Sequence, residues 1–315
     1  MKLIHLLREH ARPSMGCTEP AAVARTAATA RTAIGGKILR ICVTVDPKVF
    51  RNGLSVGLPV PGQHRGNLMA AALGAVGGNP DLGLDVLRPI TAEHVTEAQA
   101  LVAADRVALH LDRQRAELYV EAVVETSKGT GRAITQGTHT NIALVEINGT
   151  LVQSAAALAN TESSQPKHET DPWLHTASVP EIVARVEEMD NAALDYALLG
   201  IRMNEQAAEE GLRLAPGLAI GARLQRRAKT AKAANCMLWR APMMTAAAID
   251  ARMAGLPVHI MSSSGSGNQG TTVTVPPTAV AGCLGIGEER LAKSVTLGHL
   301  LLASMAHEIG LLTAL

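Results

Sequence analysis

The residues best suited to chemistry are concentrated in one stretch, residues 261–271, where three glycines alternate with hydroxyl and amide side chains. Glycine loses backbone entropy in regular structure, and Ser and Asn compete for backbone hydrogen bonds, so this glycine-rich loop is predicted to be irregular. Such a loop turns several backbone N–H groups towards one point, which suits a carboxylate or a phosphate. Its candidate ligand-binding residues are Ser264, Gly265, Ser266, Gly267, Asn268 and Gln269.

Several known phosphate-binding loops can be compared with this one. Residues 265–270 match the G-x-G-x-x-G pattern of dinucleotide loops, which lead directly into a helix. Residues 271–277 are rich in β-branched side chains and end in two prolines, so no helix is predicted there and the context argues against a dinucleotide site. No lysine follows the last glycine, which argues against a Walker loop. A serine nucleophile at Ser264 or Ser266 and a purely structural glycine turn both stay open.

A second candidate site lies near the N-terminus, where residues 17–20 read Cys-Thr-Glu-Pro. The alanine-rich residues 21–33 predict a helix, with Thr18 as its N-cap and the proline in its first turn. A helix N-terminus stabilises a thiolate, so Cys17 is the cysteine placed for chemistry. The other three cysteines are expected to be small, mostly buried residues, because no Cys-x-x-Cys pair is present.

Hydrophobic periodicity and turn signals predict the elements that must hold these residues. Strands are predicted over 37–45, 54–60, 106–110, 116–126 and 133–147, and helices over 67–76 and 91–104. After a polar linker over 160–176, helices are predicted from 178 and over 191–210, 217–236, 242–253 and 288–302. The pattern indicates an α+β fold: an N-terminal mixed α/β domain with short strands, residues 1–159, then a mainly helical domain, residues 177–315, built around the glycine-rich loop.

Composition limits the class of protein. Apolar residues make up 47% of the chain, but only two Trp, two Tyr and one Phe are present, so the core must be packed from aliphatic side chains and Met. The net charge is +1 and no block of like charge occurs, which argues against nucleic-acid and membrane-surface partners. No apolar run reaches the length of a membrane span and no signal peptide is recognisable, so a cytoplasmic protein with a small-molecule partner is expected.

Several separated motifs occur together: residues 16–20 (Gly-Cys-Thr-Glu-Pro), 139–142 (His-Thr-Asn-Ile), and 250–253 (Asp-Ala-Arg-Met) leading to the glycine-rich loop. With residues 48–54, 70–75, 289–292 and His299, they resemble the serine dehydratase alpha-chain family, most closely its single-chain branch that includes L-cysteine desulfidases. The resemblance implies a [4Fe-4S] lyase. Such enzymes remove hydroxide from L-serine or sulfide from L-cysteine and release pyruvate and ammonia.

The resemblance also implies roles for individual residues. Cys17 matches the family cysteine that binds the cluster. The candidate catalytic residues are His139, Asp250 and Arg252, and the candidate substrate-binding residues, besides the glycine-rich loop, are Thr18, Glu19, Asn52 and Asn141. Simpler roles stay open: His139 as a structural residue, Asp250 and Arg252 as an ion pair, Glu19 as a helix cap and Asn52 as a turn residue.

The sequence departs from the family pattern in its cluster cysteines. In the family, the remaining cysteine ligands follow a Leu-Ser-Ala-Leu-type segment, which residues 311–315 resemble, and the sequence ends there. One ligand out of the expected set is therefore present. We expect a fragment of a longer protein, a further chain or a second copy that completes the site, or a loss of lyase activity. Residues 63–65 and Thr138 also differ from the family and leave the substrate open between L-cysteine and L-serine.

Two functions from other classes remain as alternatives. The first is a cluster-free protein that binds an amino acid or a small carboxylate through the glycine-rich loop. The second is a serine hydrolase that uses Ser264 or Ser266. The apolar stretch 297–315 further predicts association of the chain, because a single amphipathic helix there would leave apolar surface exposed.

Overall fold

Helices and strands divide between two compact units in the computed structural model, which describes residues 2–154, 172–231 and 236–309. The sheet unit comprises residues 15–165 and 255–257, and the helical unit comprises residues 1–14, 166–254 and 258–315. The predicted α+β class is confirmed. The predicted domain boundaries at 159 and 177 stay a prediction. Residues 160–171 of the predicted linker, and the segment 311–315, lie outside the described residues.

The secondary structure elements are as follows. The helices are α1 Leu3–His10, α2 Thr18–Ile34, α3 Pro47–Asn52, α4 Gly66–Gly77, α5 Ala92–Ala103, α6 Pro172–Thr176, α7 Val179–Glu187, α8 Asn191–Leu214, α9 Ile220–Thr230, α10 Met237–Met253, α11 Gly267–Leu284 and α12 Glu288–Ile309, with a 3-10 helix at Pro80–Asp85. The strands are β1 Ala11–Met15, β2 Ile38–Val45, β3 Val107–Leu111, β4 Tyr119–Thr126, β5 Gly129–Gln136, β6 Ile142–Ile147, β7 Thr150–Ser154 and β8 His259–Ser263.

The sheet unit is built on a six-stranded sheet with the order β3-β2-β4-β5-β6-β7. Strand β2 runs parallel to β3, and the other neighbours are antiparallel. The alternating residues Ile41, Val43 and Val45 of β2 are fully buried, as the period of two in the sequence predicts. Helix α2 packs on β4 and β5, and α4 packs on α2, so the first turn of α2 is held on a rigid layer.

Glycines permit close approach between α2 and its neighbours. A Cβ atom at Gly74 of α4 would overlap the carbonyl oxygen of Ala24, and one at Gly131 of β5 would overlap that of Ala30. Backbone therefore meets backbone on both faces of α2, which allows close packing in a core with few aromatic residues.

We expect Gly74→Ala to lower the free energy of unfolding by at least about 1–3 kcal/mol, because the added methyl group meets a main-chain atom that cannot move alone. The matched control is Gly282→Ala in α11, where the nearest atom to the added Cβ is the tip of Arg240 at 3.9 Å. That substitution should be neutral or stabilise by about 0.5–1 kcal/mol through helix propensity. Urea unfolding of both variants checks the prediction, and equal effects would contradict it.

In the helical unit, the long helices α8, α10, α11 and α12 pack around the short strand β8, which pairs with β1. Gly211 of α8 lies against the backbone of Ala247 in α10, so these two helices also cross closely. No helix in the described part of the chain is both long and apolar enough to cross a membrane.

The structure corrects the local prediction that matters most for the site. Residues 271–277 were predicted not to be helical, yet α11 begins at Gly267 and continues through Pro276 and Pro277. Its buried face includes Thr274 and Val275, and tertiary packing of such a face outweighs the low helix propensity of β-branched residues and proline. The strand before α11 pairs with β1 in a two-stranded sheet and not within a parallel sheet, so the dinucleotide-binding context is still lacking in the described structure.

Smaller corrections concern the edges of elements. Residues 54–60 form no strand in the described structure beyond a single bridge between Gly57 and Arg65. Strand β7 was not predicted, and the end of the predicted linker is the short helix α6. Helices α8 and α12 extend beyond their predicted ends, at Leu214 and Ile309, because their buried stripes continue past the predicted limits.

Candidate active site

The predicted site residues form two groups, one in each unit. Those of the sheet unit are Cys17, Thr18, Glu19, Asn52, His139 and Asn141, and those of the helical unit are Asp250, Arg252 and the glycine-rich loop. Each group is described by itself.

In the sheet unit, the first turn of α2 surrounds a buried carboxylate. Glu19 is 5% exposed and accepts hydrogen bonds from Cys17 Sγ at 2.9 Å, from Thr18 Oγ1 at 3.2 Å and from Asn52 Nδ2 at 3.0 Å. The N-cap of α2 is Cys17, so the prediction that Thr18 caps the helix is wrong; the Thr18 hydroxyl donates to Glu19 instead. A carboxylate at a helix N-terminus is also stabilised by the helix dipole.

Asn52 reaches Glu19 because α3 ends at that residue. The start of α3 is fixed by Asp46, whose carboxylate accepts from the backbone N–H groups of Lys48, Val49 and Tyr119. Asp46 is 1% exposed and so adds a second buried negative charge to this part of the sheet unit. In the described structure the side chain of Asn52 contacts Glu19, so Asn52 helps to hold the carboxylate in place.

His139 lies in the turn between β5 and β6, and this turn is fastened to α2. Arg25 of α2 donates from Nη1 to the Thr140 carbonyl at 2.7 Å. Asn141 donates from Nδ2 to the Gln136 carbonyl at 2.9 Å, so its described contact holds the turn itself, and its predicted role in substrate binding stays a prediction. His139 Nε2 is buried and has no hydrogen-bond partner among the described residues.

The electrostatics of this group favour a carboxylate beside a neutral imidazole. Burial alone would raise the pKa of Glu19, but His139 and the hydrogen bonds from Cys17, the Glu19 backbone N–H and Asn52 together hold the pKa below its usual value. Burial lowers the pKa of His139, against the opposing effect of the negative charges on Glu19 and Asp46. At neutral pH, Glu19 is therefore ionised and His139 can accept a proton.

Cys17 lies in this group as a protonated thiol that donates to Glu19. The part of the chain that the structure describes contains no set of three or more His, Cys, Asp or Glu side chains placed to hold a metal ion. Cys42 lies on β2, where burial raises the pKa of its thiol, and Cys236 and Cys283 belong to the helical unit. Cys236 is exposed and Cys42 and Cys283 are half-buried, so the prediction that these three cysteines are buried is wrong. The described residues therefore do not supply the ligand set of a cubane cluster around Cys17.

In the helical unit, the glycine-rich loop is a tight turn. Ser264 and Gly265 have positive φ values of 47° and 83°, and Ser263 and Ser266 exchange backbone hydrogen bonds across them. These features define a type I′ turn, which reverses the chain from β8 into α11. Ser266 caps α11 by accepting from Gln269 N at 3.4 Å.

Asp250 and Arg252, at the end of α10, have different partners. Asp250 accepts from the backbone N–H of Gly221 at 2.9 Å and so anchors the start of α9. Arg252 donates from Nη1 to Asn268 Oδ1 at 3.0 Å. Among the described salt bridges none joins the two residues, so the ion-pair alternative is not what the structure shows. The catalytic role of Asp250 stays a prediction.

Two further residues support the turn: Asn204 was not singled out from the sequence, and His299 was named there only as part of the family resemblance. Asn204 of α8 is fully buried; its Oδ1 accepts from Met261 N at 2.8 Å, and its Nδ2 donates to the carbonyls of Met261 and Gly270. His299 of α12 bonds through Nδ1 to Ser263 Oγ at 2.9 Å. A buried Asn within an apolar helical stripe is a signal that could have identified Asn204.

The serine-hydrolase alternative names Ser264 and Ser266. Ser266 Oγ is the cap of α11, and Ser264 Oγ is buried with no described partner. In the described structure His299 bonds to Ser263, which is fully buried, and not to either of the two named serines. No nucleophile–base pair is formed by either named serine in the described structure.

Comparison with known proteins places the chain in a family. A model of the serine dehydratase alpha chain matches residues 81–315. A UPF0597 protein of Desulfatibacillum aliphaticivorans is 35% identical over 306 residues, which is 96% of this chain and 70% of that protein. The UPF0597 proteins YhaM of Escherichia coli O8 and Salmonella heidelberg are 35% and 36% identical, over 100% and 98% of this chain and 71% and 70% of theirs. No solved structure matches significantly. The chain belongs to the serine dehydratase alpha-chain family.

Proposed function

We propose that this chain is a β-eliminating lyase that converts L-serine or L-cysteine into pyruvate and ammonia, as in the L-cysteine desulfidase branch of the family. Family membership supports the reaction class. The observation that carries the proposal is the buried Glu19 carboxylate, which has three side-chain donors and whose negative charge favours the protonated form of His139. We expect a free amino acid as the small-molecule partner and the cytoplasm as the site of action.

His139 is the proton acceptor in this proposal. Its Nε2 is buried without a described partner, and burial lowers its pKa, so the ring is neutral at neutral pH. When it takes a proton, the imidazolium is stabilised by the negative charges of Glu19 and Asp46. Cys17, Thr18 and Asn52 hold Glu19 in place, and they keep it ionised so that it supports His139 and does not itself take the proton.

In the proposed elimination, one proton moves from Cα to the leaving group by way of His139. His139 takes the Cα proton, the Cα–Cβ double bond forms, and the bond from Cβ to the hydroxyl or thiol group breaks. The imidazolium returns the proton to the departing hydroxide or hydrosulfide, which leaves as water or hydrogen sulfide. The aminoacrylate tautomerises to an imine, and one water molecule converts it into pyruvate and ammonia.

A small cavity beside Cys17 supports a small β-substituent. It has a volume of about 10 Å³ and is lined by Met15, Leu58, Pro59 and Leu87. This is roughly the space that one water molecule occupies, and a hydroxyl or thiol group is of similar size.

A [4Fe-4S] cluster is what the family resemblance implies for the Lewis-acid role at the leaving group. The described residues do not assemble its ligands, and Cys17 is the side chain that would bind it. We expect the lyase activity to depend on an iron–sulfur cluster, and one assay tests both the activity and this dependence.

The direct test is pyruvate formation from L-serine and L-cysteine, with D-serine as the stereochemical control. The chain is assayed under anaerobic conditions before and after supply of iron and sulfide, with iron and acid-labile sulfide measured per chain. We expect pyruvate and ammonia in equal amounts from at least one L-amino acid, with hydrogen sulfide from cysteine. If neither amino acid yields pyruvate in either preparation, the proposal is wrong for this chain.

A further inference from the structure

Among the described residues, Arg252 is a buried cation without a carboxylate partner. The residue is 3% exposed, its Nη1 contacts the neutral Asn268 Oδ1 at 3.0 Å and Met253 Sδ at 3.4 Å, and its Nε has no described partner. In the described structure no carboxylate lies within salt-bridge distance of its guanidinium group. Buried charges are normally paired, because an unpaired charge loses its hydration without compensation.

The guanidinium group also lies at the positive end of a helix dipole. A Cβ atom at Gly267, the first residue of α11, would overlap Arg252 Nε, so the arginine packs directly against the helix N-terminus. No described acceptor takes the backbone N–H of Gly267 or of Asn268. Two sources of positive potential thus meet at one place, and each would be stabilised by an anion.

Side chains of the turn add further polar atoms. Ser264 is 6% exposed and its Oγ has no described partner, although a hydroxyl can donate to an anion. Gln269 Oε1 is also buried without a partner, and reversal of the amide would present its N–H₂ group. Gly265 is exposed, and Ser266 and Asn268 are half-buried, so a small ligand can reach this end of α11.

Asn268 shows where an anionic oxygen would lie. Its Oδ1 occupies the hydrogen-bond position on Arg252 that a carboxylate oxygen would take. An amide oxygen is a weaker partner for guanidinium than a carboxylate, which can accept two parallel N–H bonds. A carboxylate of similar size can therefore replace the amide as the partner of Arg252.

We propose that Arg252 and the first turn of α11 bind the α-carboxylate of a small amino acid, with Asn268 as the side chain that the carboxylate displaces. The choice of L-serine as that amino acid rests on the proposed function, whereas the preference for a carboxylate rests on the unpaired guanidinium group. Arg252 is thereby a ligand-binding residue of the helical unit, and Asn268 determines access to it.

The test uses Asn268→Asp, which places a permanent carboxylate beside Arg252. Calorimetry with L-serine and with L-serinamide, which lacks the carboxylate, measures binding to the full chain without any need for turnover. We expect wild-type protein to bind L-serine and not L-serinamide, and Asn268→Asp to weaken L-serine binding by at least about 30-fold. Asn268→Asp should also raise the Tm, since the new carboxylate pairs with the buried cation.

The matched control is Thr272→Asp, which adds the same charge to an exposed position one turn further along α11 and should leave L-serine binding unchanged. The inference is overturned if wild-type protein does not bind L-serine, if L-serinamide binds equally well, or if Asn268→Asp binds L-serine like wild type. Tighter binding of acetate or inorganic phosphate than of L-serine would overturn the assignment to an amino acid. Pyruvate formation by a wild-type protein whose binding of L-serine does not depend on the carboxylate would remove this inference and leave the lyase proposal intact.

Discussion

His139→Gln lowers kcat for pyruvate formation by about 10²–10⁴-fold and changes KM only a few-fold, because the substitution removes the group that accepts the Cα proton. Glutamine is similar in length and polar, so the turn between β5 and β6, which Arg25 and Asn141 hold through backbone carbonyls, is retained. Steady-state kinetics with L-serine and L-cysteine measure the effect. Circular dichroism and urea unfolding establish that the variant is folded.

His110→Gln is the matched control, since His110 is an exposed residue of β3. Its kcat should equal that of wild type. A loss of less than tenfold in His139→Gln, or an equal loss in both variants, would show that His139 is not the base. The turn would then have a structural role only.

The pH dependence of the same reaction provides a second readout of His139. A base must be neutral to act, and burial holds the pKa of His139 below its ordinary value of 6.5. The value of kcat/KM should therefore be constant from pH 8 to about 6.5 and decrease only at lower pH. In His139→Gln this decrease should be absent from the residual rate.

Local sequence patterns were sufficient to predict most of the secondary structure of the sheet unit. The alternation of Ile41, Val43 and Val45 predicted β2, and the alanine-rich run predicted α2 with Cys17 and Glu19 at its start. The side-chain partners of Glu19 were not predictable in the same way. Asn52 lies 33 residues away in sequence, and the contact depends on where α3 ends relative to the sheet.

The glycine-rich loop shows the opposite case. Its glycines predicted an irregular loop, with a tight turn as an open alternative. The turn is what the structure shows, and the β-branched residues and Pro276 and Pro277 argued against the helix that follows. Propensity measures a residue in isolation, whereas α11 is stabilised by burial of one face. The hydroxyls of Thr271, Thr272 and Thr278 bond carbonyls one turn earlier and so find acceptors within the helix. The partners of Asp250 and Arg252 follow from that packing, so the sequence alone could not assign them.

The free energy of unfolding should decrease by about 2 kcal/mol between pH 7.5 and pH 5 through His299 alone. His299 is 2% exposed, and burial lowers its pKa to about 4, against about 6.5 in the unfolded chain. The unfolded state therefore binds more protons over this interval, and stability is lost as the pH falls from about 6.5 towards 4. The full difference of roughly 2.5 pKa units corresponds to about 3 kcal/mol.

The variant His299→Gln isolates this effect, since glutamine can keep a hydrogen bond to Ser263 Oγ but does not titrate. Its stability at pH 7.5 is lower than that of wild type because the buried ring is lost, but its decrease between pH 7.5 and 5 should be smaller by about 2 kcal/mol. His110→Gln should keep the wild-type dependence, because that side chain is exposed. Parallel curves for wild type and His299→Gln would mean that His299 takes up a proton in the folded protein as readily as in the unfolded chain, and would contradict the prediction.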